Sequence, residues 1–168
     1  LVEKGSLFTQ FYILMSFEKS SKGLKTISSL QQSTANEENV HYKFGIDIIN
    51  IIKEEYPQLW EDYLIDLISK NLNVAYSTEL RLIDWFFENG VPDHLTKEEV
   101  INFLNYNFSI IAKDLELDSQ FNYDKKLFEE KNEWFIIKLK STEPDFFDAP
   151  VGGYASEKEV IDIDKFEF

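Results

Sequence analysis

The stretch TANEENVHYKFGIDIINII, Thr34–Ile52, sets the class of fold expected for this chain. Thr34 stands three residues before Glu37, the spacing at which a hydroxyl and a carboxylate tie off the free amides of a helix start. Val40, Phe44, Ile48, Ile51 and Ile52 then recur at helical intervals and trace one face.

Working outward, the same period returns on both sides. Leu7, Phe8, Phe11, Tyr12, Leu14 and Met15 predict a first helix over residues 6–19. The polar run 20–33 leaves room for a short helix around Leu24–Leu30. Pro57 is placed to begin a new helix, with Leu59, Trp60, Tyr63, Leu64, Leu67 and Ile68 as its stripe. Asn71–Tyr76 reads as a connector. Leu80–Phe87 is apolar over a wide arc and is expected to be central, ending at Asn89-Gly90. Thr96 and Glu99 give a second capping box, followed by the stripe Val100, Phe103, Leu104, Phe108, Ile111 and Leu115.

The character changes after residue 117. A short helix is expected near Leu127–Lys131. Trp134–Lys140 is aromatic and β-branched and reads as a strand. Residues 141–156, with Pro144, Pro150 and Gly152-Gly153, read as a loop, and Val160–Phe168 as a final strand. The expected fold is mainly α: a helical domain of at least four helices with a small C-terminal β element, a strand pair or hairpin. One domain is expected over 1–168, helical over about 6–116 and mixed loop and strand over 117–168.

The chain carries 31 acids against 17 bases, a net charge of −14. Residues 1–84 hold 12 acids and 8 bases, net −4; residues 85–168 hold 19 and 9, net −10. Such a field repels nucleic acid and anionic membranes and draws in basic proteins. There is no cysteine, which rules out disulfides and thiolate chemistry and fits a cytoplasmic setting. No stretch is apolar enough to span a bilayer. The run SLFTQFYILMSF has acids and a lysine around it and reads as an amphipathic helix rather than a leader.

No catalytic, cofactor-binding or metal residue is assigned from the sequence. His41 and His94 are far apart in the chain and show no ligand spacing to one another. Gly152-Gly153 lacks any phosphate-cradle pattern, and no nucleophile elbow occurs. Asp162 and Asp164 share one side of the expected last strand but lack a third ligand. The C-terminal quarter instead mixes acids with aromatics, the composition of a protein-binding patch. Its candidate contacts are Asp145, Phe146, Phe147, Asp148, Tyr154, Glu157, Glu159, Asp162 and Asp164.

A small, acidic, cysteine-free and helix-rich chain with many Phe, Ile, Asn and Lys residues resembles the immunity proteins of bacterial contact-dependent inhibition and related polymorphic toxin systems. The resemblance implies a non-enzymatic protein, without cofactor, that binds a cognate basic toxin domain, a nuclease for example, in a 1:1 complex. Two other functions stand beside it: a regulatory or scaffold subunit with another partner, and a hydrolase or metal-dependent enzyme using carboxylates and a histidine.

Overall fold

The helix that organises the packing is the one that the second capping box opens. In the computed structural model, Thr96 Oγ1 accepts from the Glu99 amide at 3.2 Å and Glu99 Oε2 accepts from the Thr96 amide at 3.2 Å. Helix α4 (Lys97–Asp114) follows directly. Its stripe faces inward: Val100, Phe103, Leu104 and Phe108 are fully buried, with Ile111 beside them. Each such side chain contributes roughly 1.5–3 kcal/mol on burial.

The structure describes residues 1–20, 25–118 and 120–141. A π-helical turn (Val2–Leu7) runs into α1 (Phe8–Ser16), which closes in a 3-10 turn (Phe17–Ser20). The long α2 (Lys25–Glu55), a 3-10 turn (Pro57–Leu59) and α3 (Asp62–Phe86) precede α4. After α4 come the one-turn α5 (Lys125–Leu127), a π turn (Phe128–Asn132) and α6 (Glu133–Lys140). The first π turn and α1 both lie against α2 and α4, α6 leans on α2, and α3 rests on α4 and the first π turn. Gly5 permits a close approach of the first π turn to α4, because a Cβ there would sit 3.2 Å from the Phe108 ring.

The centre is aromatic. Phe103 stacks on Tyr12 at 4.5 Å between centroids and meets Phe135 edge-on at 5.1 Å. Phe8 reaches Phe135 at 6.1 Å, and Trp134 lies 5.4 Å from Tyr12. Beneath these rings runs a buried amide network. Asn132 Nδ2 donates to the Tyr12 hydroxyl at 2.9 Å and the Glu99 carbonyl at 3.0 Å; Asn102 Nδ2 donates to Asn132 Oδ1 at 3.0 Å. Asn102 Oδ1 accepts from the Asp124 amide at 2.7 Å, so α1, α4 and the segment before α6 are tied through two side chains. Burial pushes the Tyr12 phenol up to about 12.

Several expectations change. Residues 25–33 belong to α2, and Thr34 is inside that helix, where its hydroxyl donates to the Leu30 carbonyl at 3.1 Å rather than capping anything. Asn71–Tyr76 is no connector but the middle of α3. Asn71 and Asn73 donate to the carbonyls four residues back, at 2.8 and 3.0 Å, so their polarity is satisfied within the helix. Leu80–Phe87 is helical but only one side is buried: Ile83 and Phe87 face in, while Trp85 is 67% exposed. Trp134–Lys140 is α6, not a strand. Phe135 drops into the aromatic centre, and that packing overrides β propensity. The described residues are helices and turns without a strand, so this part of the expected β element is wrong. Its other part, Val160–Phe168, lies outside the described residues.

Glu18 fastens the end of α1 to α6 and α2. It accepts from Lys138 and, at 2.5 Å, from the Ser28 hydroxyl. Burial works to raise its carboxyl, but the bonds from Lys138 and Ser28 outweigh that and hold it below its ordinary value of 4.5. A carboxyl depressed in the folded state contributes stability above its unfolded pKa and loses it as pH falls through the folded one. The urea midpoint should therefore fall as pH drops below about 4.5. Glu18→Gln should flatten that slope; an unchanged slope would assign it to other carboxylates.

Candidate functional site

Helix α2 is packed with its less greasy side inward. Ser28, Gln32, Ala35 and Tyr42 are buried, whereas Val40 and Phe44 are each 64% exposed and Ile48, Ile51 and Ile52 stand partly in solvent. Two of the inward polar side chains are anchored: Gln32 Nε2 donates to the Lys138 carbonyl at 2.7 Å, and the Tyr42 hydroxyl donates to Asp114 Oδ2 at 2.6 Å. Burial pushes the Tyr42 phenol well above its ordinary range, and the Asp114 carboxylate adds to the effect. These anchors fix how α2 is rotated about its axis, so the face opened by Val40, Phe44 and Ile48 turns away from α4.

A different side of α2, the one that carries Tyr42, Gly45, Ile46 and Ile49, faces α3. A groove of about 340 Å³ separates them, with Ile46 and Ile49 on one wall, Ile68 and Leu72 on the other, and Ile111 of α4 among its lining residues. Glu3, from the first π turn, and His41, from α2, both line it. Glu38 stands one helical turn before His41, and its Oε2 lies 3.1 Å from His41 Nδ1. His41 remains 64% exposed in its side chain and Glu38 23%. Next to Glu3, Lys4 is buried with its Nζ 4.1 Å over the Phe8 ring, and burial pulls its pKa down to about 8.

Glu38-Asn39-Val40-His41 is a Glu-x-x-His sequence on a helix. With a carboxylate from a second helical segment, this is half of the donor set that helix bundles use for paired iron or manganese ions. The full set is one Glu from each of two helices and a Glu-x-x-His from each of two others. Carboxylate oxygens with imidazole nitrogen suit such ions. Among the described residues no three donors are gathered closely enough to hold an ion by themselves. Glu3, Glu38 and His41 thus have the right chemistry for one half of such a site.

A family model for the ribonucleotide reductase small chain matches residues 1–132. The chain belongs to the ribonucleotide reductase small chain family. The matched part includes Glu3, Glu38 and His41. The chain is also similar to a ribonucleoside-diphosphate reductase subunit beta from Chlamydia pneumoniae, at 32% identity over 78 residues. That alignment takes in 43% of this chain and 22% of the relative, so the chain matches about a fifth of that protein's length.

Membership in this family overturns the expectation of an immunity protein, of a toxin domain as partner and of a non-enzymatic role. It equally displaces the scaffold and hydrolase alternatives. Net acidity was a poor guide to a basic partner because an excess of one charge sign specifies no partner, and individual acids also bond within the chain. Glu18 pairs with Lys138, Glu116 with Lys53 at 2.5 Å and Asp84 with Lys97 at 2.7 Å. The candidate contacts Asp145, Phe146, Phe147, Asp148, Tyr154, Glu157, Glu159, Asp162 and Asp164 all lie outside the described residues and beyond the matched region. His94 sits edge-on against Phe17 at 4.7 Å, remote in sequence from the pair on α2. The candidate donors that sequence reasoning passed over are Glu3 and Glu38. The signal was there in the three-residue step from Glu38 to His41, which puts both on one helix face.

Among the described residues no helix is long and apolar enough to cross a membrane.

Proposed function

We propose that the chain serves as a small-subunit component of a ribonucleoside-diphosphate reductase, in which Glu3, Glu38 and His41 form half of a dinuclear metal site. The observation that carries the reading is the Glu38–His41 pair beside the groove that Glu3 also lines, inside the region matched by the family. A paired iron or manganese centre supplies one-electron and dioxygen chemistry. This chain's own part is to hold the ion. Glu3 and Glu38 offer oxygen, and His41 offers an imidazole nitrogen oriented by α2. The Tyr42–Asp114 bond keeps α2 from rolling, so the two α2 donors stay on the groove side. The reading carries with it a cytoplasmic location, a ribonucleoside diphosphate as the substrate of the assembled enzyme, and a large reductase subunit as partner.

Metal binding tests it. Titration of the protein with Mn(II) or Co(II), followed by calorimetry or by the cobalt absorption bands, should show an affinity that Glu38→Ala and His41→Ala each weaken by roughly 100-fold or more. His94→Ala should leave it unchanged. Equal affinity in all four proteins would remove Glu38 and His41 from metal binding.

A further inference from the structure

Among the described residues Lys4 is the one buried cation, with 8% of its surface exposed. An ammonium loses its hydration on burial and is disfavoured unless charges or rings compensate. The Phe8 ring lies under its Nζ at 4.1 Å. Burial works to neutralise it, the Asp114 carboxylate works to keep it charged, and Lys43 works with burial. No carboxylate among the described residues forms a direct ion pair with it. Asp114 therefore acts on Lys4 through its charge, across the packing of the first π turn on α4. Asp114 is itself set against its surroundings. It is the last residue of α4, where the helix presents its negative end and a carboxylate is disfavoured. There it accepts the Tyr42 hydroxyl at 2.6 Å. One carboxylate thus faces two groups, each next in sequence to a candidate donor: Lys4 follows Glu3, and Tyr42 follows His41.

We propose that Lys4 and Asp114 are positioning residues for Glu3: the buried ammonium, seated on Phe8 and attracted by Asp114, fixes the first π turn so that Glu3 stays on the groove. The inference rests on the half-site reading above and deepens it. The end of α4 then registers both donor segments against one point, the π turn through Lys4 and α2 through Tyr42. Gly5 lets the turn seat this closely, since its missing side chain leaves room for the Phe108 ring.

Calorimetric titration with Mn(II), with the cobalt absorption bands as a second readout, tests this on the 168-residue protein and four variants. Lys4→Met keeps the length of the side chain and removes its charge. It should weaken Mn(II) binding by roughly tenfold. A plain field effect has the opposite sign, because loss of a positive charge near a cation site tightens binding. Asp114→Asn leaves an acceptor for the Tyr42 hydroxyl and should weaken binding to a similar extent. Glu3→Ala should weaken binding and change the cobalt bands. Lys4→Met added to Glu3→Ala should weaken it no further, because Lys4 acts through Glu3. Circular dichroism confirms that the variants keep their helices. Unchanged or tighter binding in Lys4→Met overturns the proposal, and so does a full further loss on top of Glu3→Ala. Unchanged affinity in Asp114→Asn overturns it as well, whatever the fold of Lys4→Met. A parent protein that binds Mn(II) alongside a Lys4→Met variant of equal affinity overturns this inference alone. A parent that binds no Mn(II) overturns the half-site reading and this inference with it.

Discussion

Phe103→Ala should lower the unfolding free energy by about 3–5 kcal/mol, the largest effect expected of a single truncation here. Phe103 is fully buried, and its ring is the hub on which Tyr12, Phe135, Tyr106 and Phe128 converge. Three separate segments meet at it, from α1, α4 and the residues before and within α6. Collapse into the gap would require all three to move, so the cavity should persist. Urea denaturation followed by tryptophan fluorescence and by far-ultraviolet circular dichroism gives the measurement. A loss below about 1 kcal/mol would mean that the cluster relaxes as a liquid would, against the close packing of protein interiors. Phe103→Leu, which keeps most of the volume, should cost less than half as much.

Asn132→Asp should cost about 3 kcal/mol near neutral pH without changing side-chain volume. The amide donates to the Tyr12 hydroxyl and the Glu99 carbonyl, and the site is fully buried. A carboxylate has nothing to donate there. Its charge would face a backbone carbonyl and lie in a place without solvent. The same variant should recover part of its stability as pH is lowered, because a protonated carboxyl regains a donor. Stability equal to the parent at neutral pH would show that the network is decoration on a core held by the rings alone.

Helix α4 was legible because every local signal agreed. The Thr96–Glu99 box, the apolar stripe and the inward packing all support one element. Elsewhere the signals were divided. Asn71 and Asn73 look like loop residues because their amides can bond to nearby backbone, and in α3 they do so without leaving the helix. Trp134–Lys140 has strand-like composition, but the demand for Phe135 beside Phe103 decides its conformation. The outward stripe of α2 was found as a stripe; that it faces away from its own core depends on Gln32, Tyr42 and their partners far along the chain. The three-residue step from Glu38 to His41 stands in the sequence, but it was not read there as a candidate donor pair. Glu3 has no such signal, since its nearness to the same groove comes from folding of the first π turn onto α2 and α4.

That turn has one further consequence. A π turn holds one residue more than an α turn, so it works as a phase shifter between the side chains before and after it. Phe8 and Tyr12, after the turn, keep step with the aromatic centre, while Glu3, inside it, lines the groove. Removing one residue from Val2–Leu7 would rewind the segment and carry Glu3 round by about 100°. A frame slip of a single residue would then turn Glu3 away from His41 and, in the same movement, shift Gly5 from its approach to the Phe108 ring.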